Sequence, residues 1–446
     1  MSETSVTPGS EDRALANDVH DALRKFSIYP VDSHDGPEPV SVTQLRRGLS
    51  PPHEDVVRIA TLTRDADDVL RWTAGTVPSQ QGLRRGRGGL QSLFTGKPIT
   101  TVKFAPIGEN EVASKLEELD TGFKRSQPEK ASTLRAIKER RLVEYPVIPV
   151  VEKTKKILLF VHGTFSNNDN LLAAIFKCTQ GGGDLIDAAE ASYDQVLAFD
   201  HYTLSRSPIL NALELARFFA GSEAQIDVIC HSRGGLVTRW FFEVMDHVAD
   251  RKRRAVLVGC PLGGTSLAAP DKLRSAIDLF TNLGSLVSDG VSLIPFLSAA
   301  GAIMKIGFSV AGAATRVPLI DAGVAMIPGL ACQSRVTNNF ELRALTVIPK
   351  SPPQYWAVTS EFKPEGVGWK FWHVFCSWGP IASAATTSIF LQPNDLVVDT
   401  LSMTDFATDE IQPVKLKRFC EKDHVHHTLY FENMQTLAFI RASLEF

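Results

Sequence analysis

Residues 225–237, with the sequence QIDVICHSRGGLV, hold the pattern that decides the fold. Residues 226–230 form an apolar run with β-branched side chains, which predicts a buried strand. From Leu236 onward the apolar positions follow an i, i+4 stripe, which predicts a helix. A serine on such a strand-to-helix turn has a strained backbone, and its hydroxyl is pushed above the sheet. The pattern therefore singles out Ser232 as a candidate nucleophile.

Small residues are needed two positions before and two positions after this serine, because strand and helix pass close together there. Gly234 meets this requirement, and Cys230 stands where the usual G-x-S-x-G motif has glycine. Cysteine is small enough for the position. The predicted strand, turn and helix around the serine give the five-residue match its weight.

Strands alternate with helices from about residue 145 onward, which predicts a mostly parallel sheet with right-handed crossovers. The expected strands are residues 145–151, 157–161, 196–199, 226–230, 255–259, 355–359 and 415–419. Helices are expected at residues 208–219 and at the end of the chain, up to Leu444. Functional groups of such sheets gather at the carboxyl ends of the strands. His162, Asp200 and Ser232 all occupy that position in the sequence.

Residues 266–335 interrupt the alternation and include an uncharged stretch at 290–304. That stretch is shorter than the ~18 to 20 residues of a membrane-spanning helix. We expect a buried apolar helical insert that caps the strand ends; an interfacial lid is the alternative. A related hypothesis is a peripheral membrane enzyme that docks on lipid through residues 284–331.

The N-terminal third has no functional motif of its own. Residues 1–14 are expected to form a disordered tail, and residues 15–144 an extra α+β region whose role and protein partner are unknown. Within it the sequence predicts helices at 14–26, 111–123 and 130–141 and a strand at 99–104, and leaves 56–62 open between strand and helix. The catalytic domain is expected to cover residues 145–446.

Composition describes an ordinary globular protein. The 446 residues are 44% hydrophobic and 22% charged, and the net charge of −3 does not favour nucleic-acid binding. The Arg–Gly segment at residues 84–89 is a single copy without interleaved aromatics, so a solvated loop is the better interpretation. Six scattered cysteines without a C-x-x-C pair indicate a reducing compartment. The polar N-terminus lacks a secretory signal, so we expect a cytoplasmic protein.

Three candidate catalytic residues, widely spaced along the chain, occur in the order Ser232, Asp395, His427. A serine hydroxyl needs an imidazole to take its proton, and a carboxylate to hold that imidazole in the right tautomer. In one fold class this chain order is serine, acid, histidine. Each residue alone has a structural alternative: a helix N-cap, a turn former and a surface histidine, respectively.

The base is chosen among three crowded histidines. His427 is preferred because Tyr430 and Phe431 follow it at the start of the last predicted helix, and His424 is the alternative. A metal site in this cluster is the competing interpretation, but no complementary Cys or Glu ligands have a recognisable spacing.

The negative charge that develops on an attacked carbonyl needs preorganised N–H donors. One is expected from the backbone of Arg233, directly after the nucleophile. The other is expected from Thr164 in the loop after the strand at 157–161, with Phe165 as the neighbouring option. Gly163 allows that loop to turn tightly. The His162 side chain is expected to bond the loop backbone in preference to a direct catalytic role.

The segments at residues 160–166, 230–237 and 394–398 resemble the α/β-hydrolase superfamily. They are most similar to its lipase-like branch, which includes bacterial lipases and GPI inositol-deacylase-like proteins. Residues 259–268 also resemble the segment that opens the cap in those lipases. The resemblance covers about residues 145–446 and implies an α/β fold, a mostly parallel sheet flanked by helices. It further implies Ser232 as nucleophile, Asp395 as acid, His427 as base, and Thr164 and Arg233 as oxyanion donors.

The resemblance implies no cofactor, and no ligand set is visible for the structural calcium that some lipases carry. The expected function is a serine hydrolase that cleaves carboxylic esters of small or lipid molecules through an acyl-enzyme. A peptidase or thioesterase would use the same triad. The alternative of a different class is a non-catalytic interaction protein built on the hydrolase fold.

Overall fold

The structure is a computed structural model of the chain. It describes residues 10–25, 56–78, 97–104, 112–124, 127, 130–143, 155–248, 251–269, 272–286, 327–335, 339–345, 352–363, 389–390 and 392–446.

The chain divides into two compact units, and each is continuous only in space. The larger unit comprises Lys115–Ala269, Ala325–Glu365 and Cys376–Phe446. The smaller unit comprises Met1–Ser114, Pro270–Val324 and Gly366–Phe375.

The larger unit is built on an eight-stranded sheet. Its strands are β4 (Ser132–Lys138), β5 (Arg141–Val143), β6 (Lys156–Val161), β7 (Gln195–His201), β8 (Gln225–His231), β9 (Arg253–Val258), β10 (Gln354–Ser360) and β11 (Lys415–Phe419). The order across the sheet is β11-β10-β9-β8-β6-β7-β4-β5. Neighbouring strands pair in parallel across the part of the sheet that runs from β11 through β10, β9, β8 and β6 to β7. Strand β4 is antiparallel to both of its neighbours, β7 and β5. The predicted α/β class, with a mostly parallel sheet flanked by helices, is confirmed.

Helices cover both faces of this sheet. Helices α3 (Asn168–Lys177), α4 (Gly182–Ser192) and α10 (Met434–Leu444) pack on one face, and α5 (Pro208–Phe218) and α6 (Gly234–Arg239) pack on the other. Three further helices are α2 (Val112–Lys124), α8 (Pro328–Ala331) and α9 (Phe340–Ala344). A π-helical turn, Trp240–Met245, continues α6.

The central strands are apolar throughout because both of their faces are buried. In β6, Ile157, Leu159 and Val161 pack with α5 and α6, whereas Leu158 and Phe160 pack with α3, α4 and α10. Side chains of a strand alternate between the two faces of the sheet, so an uninterrupted apolar run requires helices on both.

The expected helix at residues 130–141 was wrong. These residues form β4, a turn and β5, and Leu134 and Ala136 are buried in the sheet core. The composition of this segment favours a helix, but its pairing with β7, in which Leu134 lies opposite Phe199, makes it a strand. The unit that holds the sheet therefore begins at Lys115 and includes part of the region that the sequence assigns to residues 15–144.

The smaller unit contains a three-stranded antiparallel sheet. Its strands are β1 (Val56–Arg64), β2 (Leu70–Pro78) and β3 (Lys97–Phe104), in the order β2-β1-β3. The predicted strand at 99–104 is thus confirmed, and residues 56–62, left open in the sequence, are a strand. Helix α1 (Ser10–Lys25) confirms the helix at 14–26 and begins inside the expected tail.

Helix α7 (Leu273–Leu286), at the start of the expected cap insert, belongs to this smaller unit. Asn282 donates to and accepts from the backbone of Leu70, at 2.8 and 2.9 Å. Asp278 accepts the backbone N–H of Trp72 at 2.8 Å, and the Trp72 indole donates to Thr281. The first part of the insert is therefore a structural partner of the N-terminal sheet.

Other predictions fall outside the described residues. These are the strand at 145–151, the Arg–Gly segment at 84–89, most of the tail at 1–14, and the uncharged stretch at 290–304.

Gly234 provides a direct test of the close packing between β6 and α6. A Cβ at this position would lie 2.5 Å from the carbonyl oxygen of Val161 and 2.8 Å from that of His162. We expect Gly234→Ala to lower the free energy of unfolding by about 1–3 kcal/mol, the usual cost of overpacking. Urea denaturation measures it.

The matched control is Gly183→Ala in the first turn of α4. Its Cβ would meet only the far end of the flexible Arg140 side chain, at 2.8 Å. Alanine there should be neutral or stabilising by up to about 1 kcal/mol. Equal destabilisation of the two variants would contradict the packing described at Gly234.

Candidate active site

Ser232 lies on a sharp turn between β8 and α6. Its φ of 53° is in the left-handed region, which is strained for a residue with a side chain. The Ser232 N–H donates to the carbonyl of Val258 on β9 at 2.9 Å, which continues the sheet to the turn. Helix α6 begins two residues later at Gly234. This is the strand–turn–helix geometry that the sequence predicts.

Cys230 occupies the position where the motif usually has glycine, and it fits. Its side chain is fully buried, and its thiol is 3.6 Å from the carbonyl oxygen of Val256. The turn at Ser232 is formed with cysteine in place of glycine because the thiol is accommodated between strands.

Asp395 and His427 form a buried hydrogen-bonded pair. His427 Nδ1 is 2.8 Å from Asp395 Oδ2, and the backbone N–H of His427 donates to the Asp395 carbonyl at 2.9 Å. The other carboxylate oxygen, Oδ1, accepts the backbone N–H groups of Val397 and Val398, at 3.1 and 2.8 Å. The carboxylate therefore fixes both the position and the tautomer of the imidazole.

Two opposing effects set the charge of Asp395. Burial disfavours its ionised form, but the positive charge and hydrogen bond of His427 and the N–H groups of Val397 and Val398 favour it. The balance places the pKa of Asp395 below its ordinary value. The pair is thus built around a carboxylate that stays ionised.

His231, the residue before Ser232, brings the turn and the histidine loop together. His231 Nε2 is 3.0 Å from the His427 carbonyl oxygen, and the two rings lie 4.7 Å apart between centroids. Burial, followed by the neighbouring His427, lowers the pKa of His231 to about 3, so it is a neutral donor to that carbonyl. Through this contact the structure places Ser232, His427 and Asp395 at one edge of the sheet.

The other histidines of the loop are placed differently. His424 is exposed and ends the 3₁₀ turn Glu421–Asp423 in a left-handed conformation. The ring of His426 packs edge-on against Phe362, at 5.2 Å between centroids. Among the three, His427 is the one that is hydrogen-bonded to Asp395.

The loop after β6 lies against Ser232. A Cβ at Gly163 would be only 2.8 Å from the Ser232 Cβ. Beyond it, the Thr164 hydroxyl is hydrogen-bonded to the Gln333 amide, and the N–H of Phe165 donates to Thr203 Oγ1 at 3.3 Å. The Phe165 donor is therefore engaged, which leaves Thr164 as the better candidate for an oxyanion contact.

The backbone and the side chain of Arg233 have different roles in the site. Its backbone N–H precedes the first turn of α6 and has no carbonyl partner within that helix. Its side chain is fully buried, and Nη2 donates to the Arg206 carbonyl and to Asn211 Oδ1, at 2.5 and 2.7 Å. Burial lowers the pKa of this guanidinium to about 10. The side chain thus anchors the turn to α5 and the loop before it.

His162 bonds the loop backbone, as the sequence predicts. Its Nε2 accepts the N–H of His201 at 3.2 Å, so the ring proton is on Nδ1 and donates to the Gly163 carbonyl at 2.9 Å. Burial lowers the pKa of His162 to about 4. Its neutral form therefore shapes the loop that contacts Ser232.

Asp120 on α2 is a supporting residue that no sequence motif singles out. Its buried carboxylate accepts the backbone N–H groups of Thr203, Leu204 and Ser205, at 2.7 to 3.1 Å. Thr203 in turn accepts the N–H of Phe165. A helix from the N-terminal third therefore holds the loop behind the candidate oxyanion segment.

The described residues contain neither a metal-binding cluster nor a membrane-spanning helix. Across that part of the chain, no group of three or more His, Cys, Asp or Glu side chains is arranged to hold a metal ion. No helix described there is both long and apolar enough to cross a bilayer.

Residues 132–445 match the family model described as a domain of unknown function, DUF7379. This chain belongs to the DUF7379 family. The DUF7379 match starts at the first residue of β4 and includes the whole eight-stranded sheet and all five predicted site residues, Ser232, Asp395, His427, Thr164 and Arg233. A search of curated proteins found no match.

Solved structures similar to this DUF7379 protein include esterases and a lipase. A thermophilic esterase has 13% identity, a TM-score of 0.33, and coverage of 66% of this chain and 89% of its own. An aryl esterase, described as putative, from Burkholderia cenocepacia has 11% identity, a TM-score of 0.36, and coverage of 71% and 95%. Aspergillus fumigatus lipase B has 13% identity, a TM-score of 0.34, and coverage of 81% of this chain and 63% of its own. They assign no activity to this chain, whose fold is established by its own sheet.

The buried His162 makes stability depend on pH. Its folded pKa of about 4 lies below the ordinary 6.5, so between these values the unfolded chain binds the proton and the folded chain does not. Its contribution is complete above pH 6.5 and is lost as the pH falls to 4, by about 3 kcal/mol. His162→Gln removes this dependence, so the stability difference between wild type and variant should shrink over that range in urea titrations.

The control is His424→Asn, which changes an exposed histidine and keeps a residue that tolerates the left-handed conformation. Because this side chain is exposed, its replacement should change the free energy of unfolding by less than about 0.5 kcal/mol at pH 7. A His162→Gln difference that stays constant from pH 7 to 4 would contradict the neutral, buried role of His162.

Proposed function

We propose that the protein is a serine hydrolase that cleaves carboxylic esters through an acyl-enzyme. The observation that carries the proposal is the strained Ser232 turn beside the buried pair of His427 and Asp395. A nucleophile, a base and an orienting carboxylate at one sheet edge are the parts that acyl transfer requires.

In the first half of the reaction, His427 takes the proton of the Ser232 hydroxyl as its oxygen attacks the ester carbonyl. The negative charge of the tetrahedral intermediate is stabilised by the backbone N–H groups of Arg233 and Thr164. When the intermediate collapses, the bond to the alcohol oxygen breaks and His427 returns the proton to that oxygen. Ser232 then carries the acyl group.

In the second half, His427 takes a proton from water, and the oxygen of that water attacks the acyl carbon. Collapse of the second tetrahedral intermediate releases the carboxylic acid and returns the proton to Ser232. Asp395 stays ionised throughout, and its negative charge stabilises the imidazolium that forms in each step. The low pKa of Asp395 supports this role.

The substrate class follows from the sequence. We place the enzyme in the lipase-like branch, with a substrate whose acyl portion is apolar, on the resemblance of residues 160–166 and 259–268 to that branch.

The nucleophile is tested with a fluorophosphonate probe, which phosphonylates activated serines. Wild type should be labelled, and Ser232→Ala should lose at least 99% of that label, because in the proposed mechanism His427 activates the Ser232 hydroxyl. The control Ser192→Ala removes an exposed serine at the end of α4 and should be labelled as wild type. Undiminished labelling of Ser232→Ala would eliminate Ser232 as nucleophile.

The acyl preference is tested with p-nitrophenyl esters from acetate to palmitate. We expect kcat/KM to rise by at least about tenfold from acetate to a medium-chain ester, since each buried methylene contributes about 0.8 kcal/mol. Ser232→Ala should be inactive on all of them. Acetate as the best substrate would contradict the apolar acyl site while leaving ester hydrolysis in place.

A further inference from the structure

One oxygen of Asp395 carries a hydrogen bond that the triad does not require. Asp395 Oδ2 accepts from His427 Nδ1 at 2.8 Å and also from the hydroxyl of Tyr430 at 2.9 Å. Together with the N–H groups of Val397 and Val398 on Oδ1, the carboxylate is bound by four donors. Two of them compete for the same oxygen.

Tyr430 is held rigidly in this position. It lies in the 3₁₀ turn Tyr430–Glu432, and its side chain is fully buried. A Cβ at Gly259, which has a φ of +57°, would lie 2.5 Å from Tyr430 Cε2, so the end of β9 is in close contact with the ring. The hydroxyl also lies 3.7 Å from the sulfur of Met403. The hydroxyl is thus shielded from solvent and stays bonded to Asp395.

We propose that Tyr430 is a positioning residue that fixes the Asp395 carboxylate and sets how strongly it holds His427. The inference deepens the hydrolase function proposed above and depends on it for its catalytic meaning. Tyr430 touches neither substrate nor nucleophile in this scheme, and it acts through Asp395.

The direction of the effect follows from charge sharing. A neutral donor on Oδ2 withdraws negative charge from that oxygen, so the same oxygen binds the imidazole N–H less strongly. Burial and the neighbouring Asp395 charge keep the Tyr430 pKa well above its ordinary value, so the hydroxyl stays a donor. Loss of the hydroxyl should strengthen the bond between His427 and Asp395.

Other titratable groups face the same pair and remain in place when Tyr430 is changed. His231 contacts His427 from the end of β8, and His426 approaches from the same loop. Cys260, after β9, faces Tyr430, and burial, followed by hydrogen bonding with Cys230, raises its pKa well above the ordinary value. Burial lowers the pKa of His231 to about 3 and that of His426 to about 4, so neither adds positive charge near neutral pH.

The test is Tyr430→Phe, which removes one oxygen and keeps the ring. The low-field proton NMR resonance of the His427 Nδ1–H should move downfield, because its hydrogen bond to Oδ2 strengthens. The acidic limb of the kcat/KM profile, which reports the coupled Asp395–His427 pair, should move to higher pH by about half a unit to one unit. A single rate factor at every pH with an unmoved resonance would overturn the proposal.

The matched control is Tyr193→Phe. Tyr193 is a buried tyrosine whose hydroxyl donates to Asp227 Oδ2 at 2.6 Å, and Asp227 lies near the start of β8, opposite the end that carries Ser232. The control loses the same kind of bond, and neither its resonance nor its acidic limb should move. Equal shifts in both variants would also overturn the proposal.

A second variant covers the case in which Tyr430→Phe fails to fold. A ring-fluorinated tyrosine at position 430 keeps the shape and is a stronger donor, so both signals should move in the opposite direction. Failure of the proposed function has a different signature: wild type would cleave no ester and take no fluorophosphonate, while the NMR shifts would persist. An active enzyme without those shifts refutes the role of Tyr430 alone.

Discussion

Close approach of β6, β8 and α6 at Ser232 is the constraint on which the rest of the larger unit depends. Ser232 adopts a left-handed backbone there, and Gly234 allows α6 to start within van der Waals reach of the β6 carbonyl groups. This strain persists because the sheet on one side and the buried Arg233 side chain on the other hold the turn in place. The hydroxyl is consequently fixed at the sheet edge where the histidine loop arrives.

A second organising feature is a buried carboxylate with every lone pair used. Asp395 would destabilise the core if its charge were unpaired, and its four donors offset that cost. The same bonds orient His427, so the stability of the loop and the chemistry of the site depend on one set of contacts. His231 joins this loop to the serine turn. The candidate site is therefore part of the core of the larger unit.

The sequence predicts best what is determined locally. Buried strands such as residues 157–161 and 226–230 are continuous apolar runs, and the turn at Ser232 has a short motif, so both are recognisable without coordinates. Residues 130–141 were misassigned because their pairing with β7 is a long-range contact that overrides composition. The partnership of α7 with the N-terminal sheet, and the contacts of Asp120 and Tyr430, join residues far apart in the chain. No local pattern encodes these contacts. The sequence shows a tyrosine three residues after His427, but its contact with Asp395 is seen only in the structure.

The most direct measurement of the central claim is a crystal structure of the wild-type protein after reaction with a phosphonate ester. The account predicts a covalent bond from phosphorus to the Ser232 oxygen. It also predicts the phosphonyl oxygen within about 3 Å of the backbone nitrogens of Thr164 and Arg233, and His427 Nε2 facing the adduct. An adduct on another residue would contradict it, as would a phosphonyl oxygen directed away from both nitrogens.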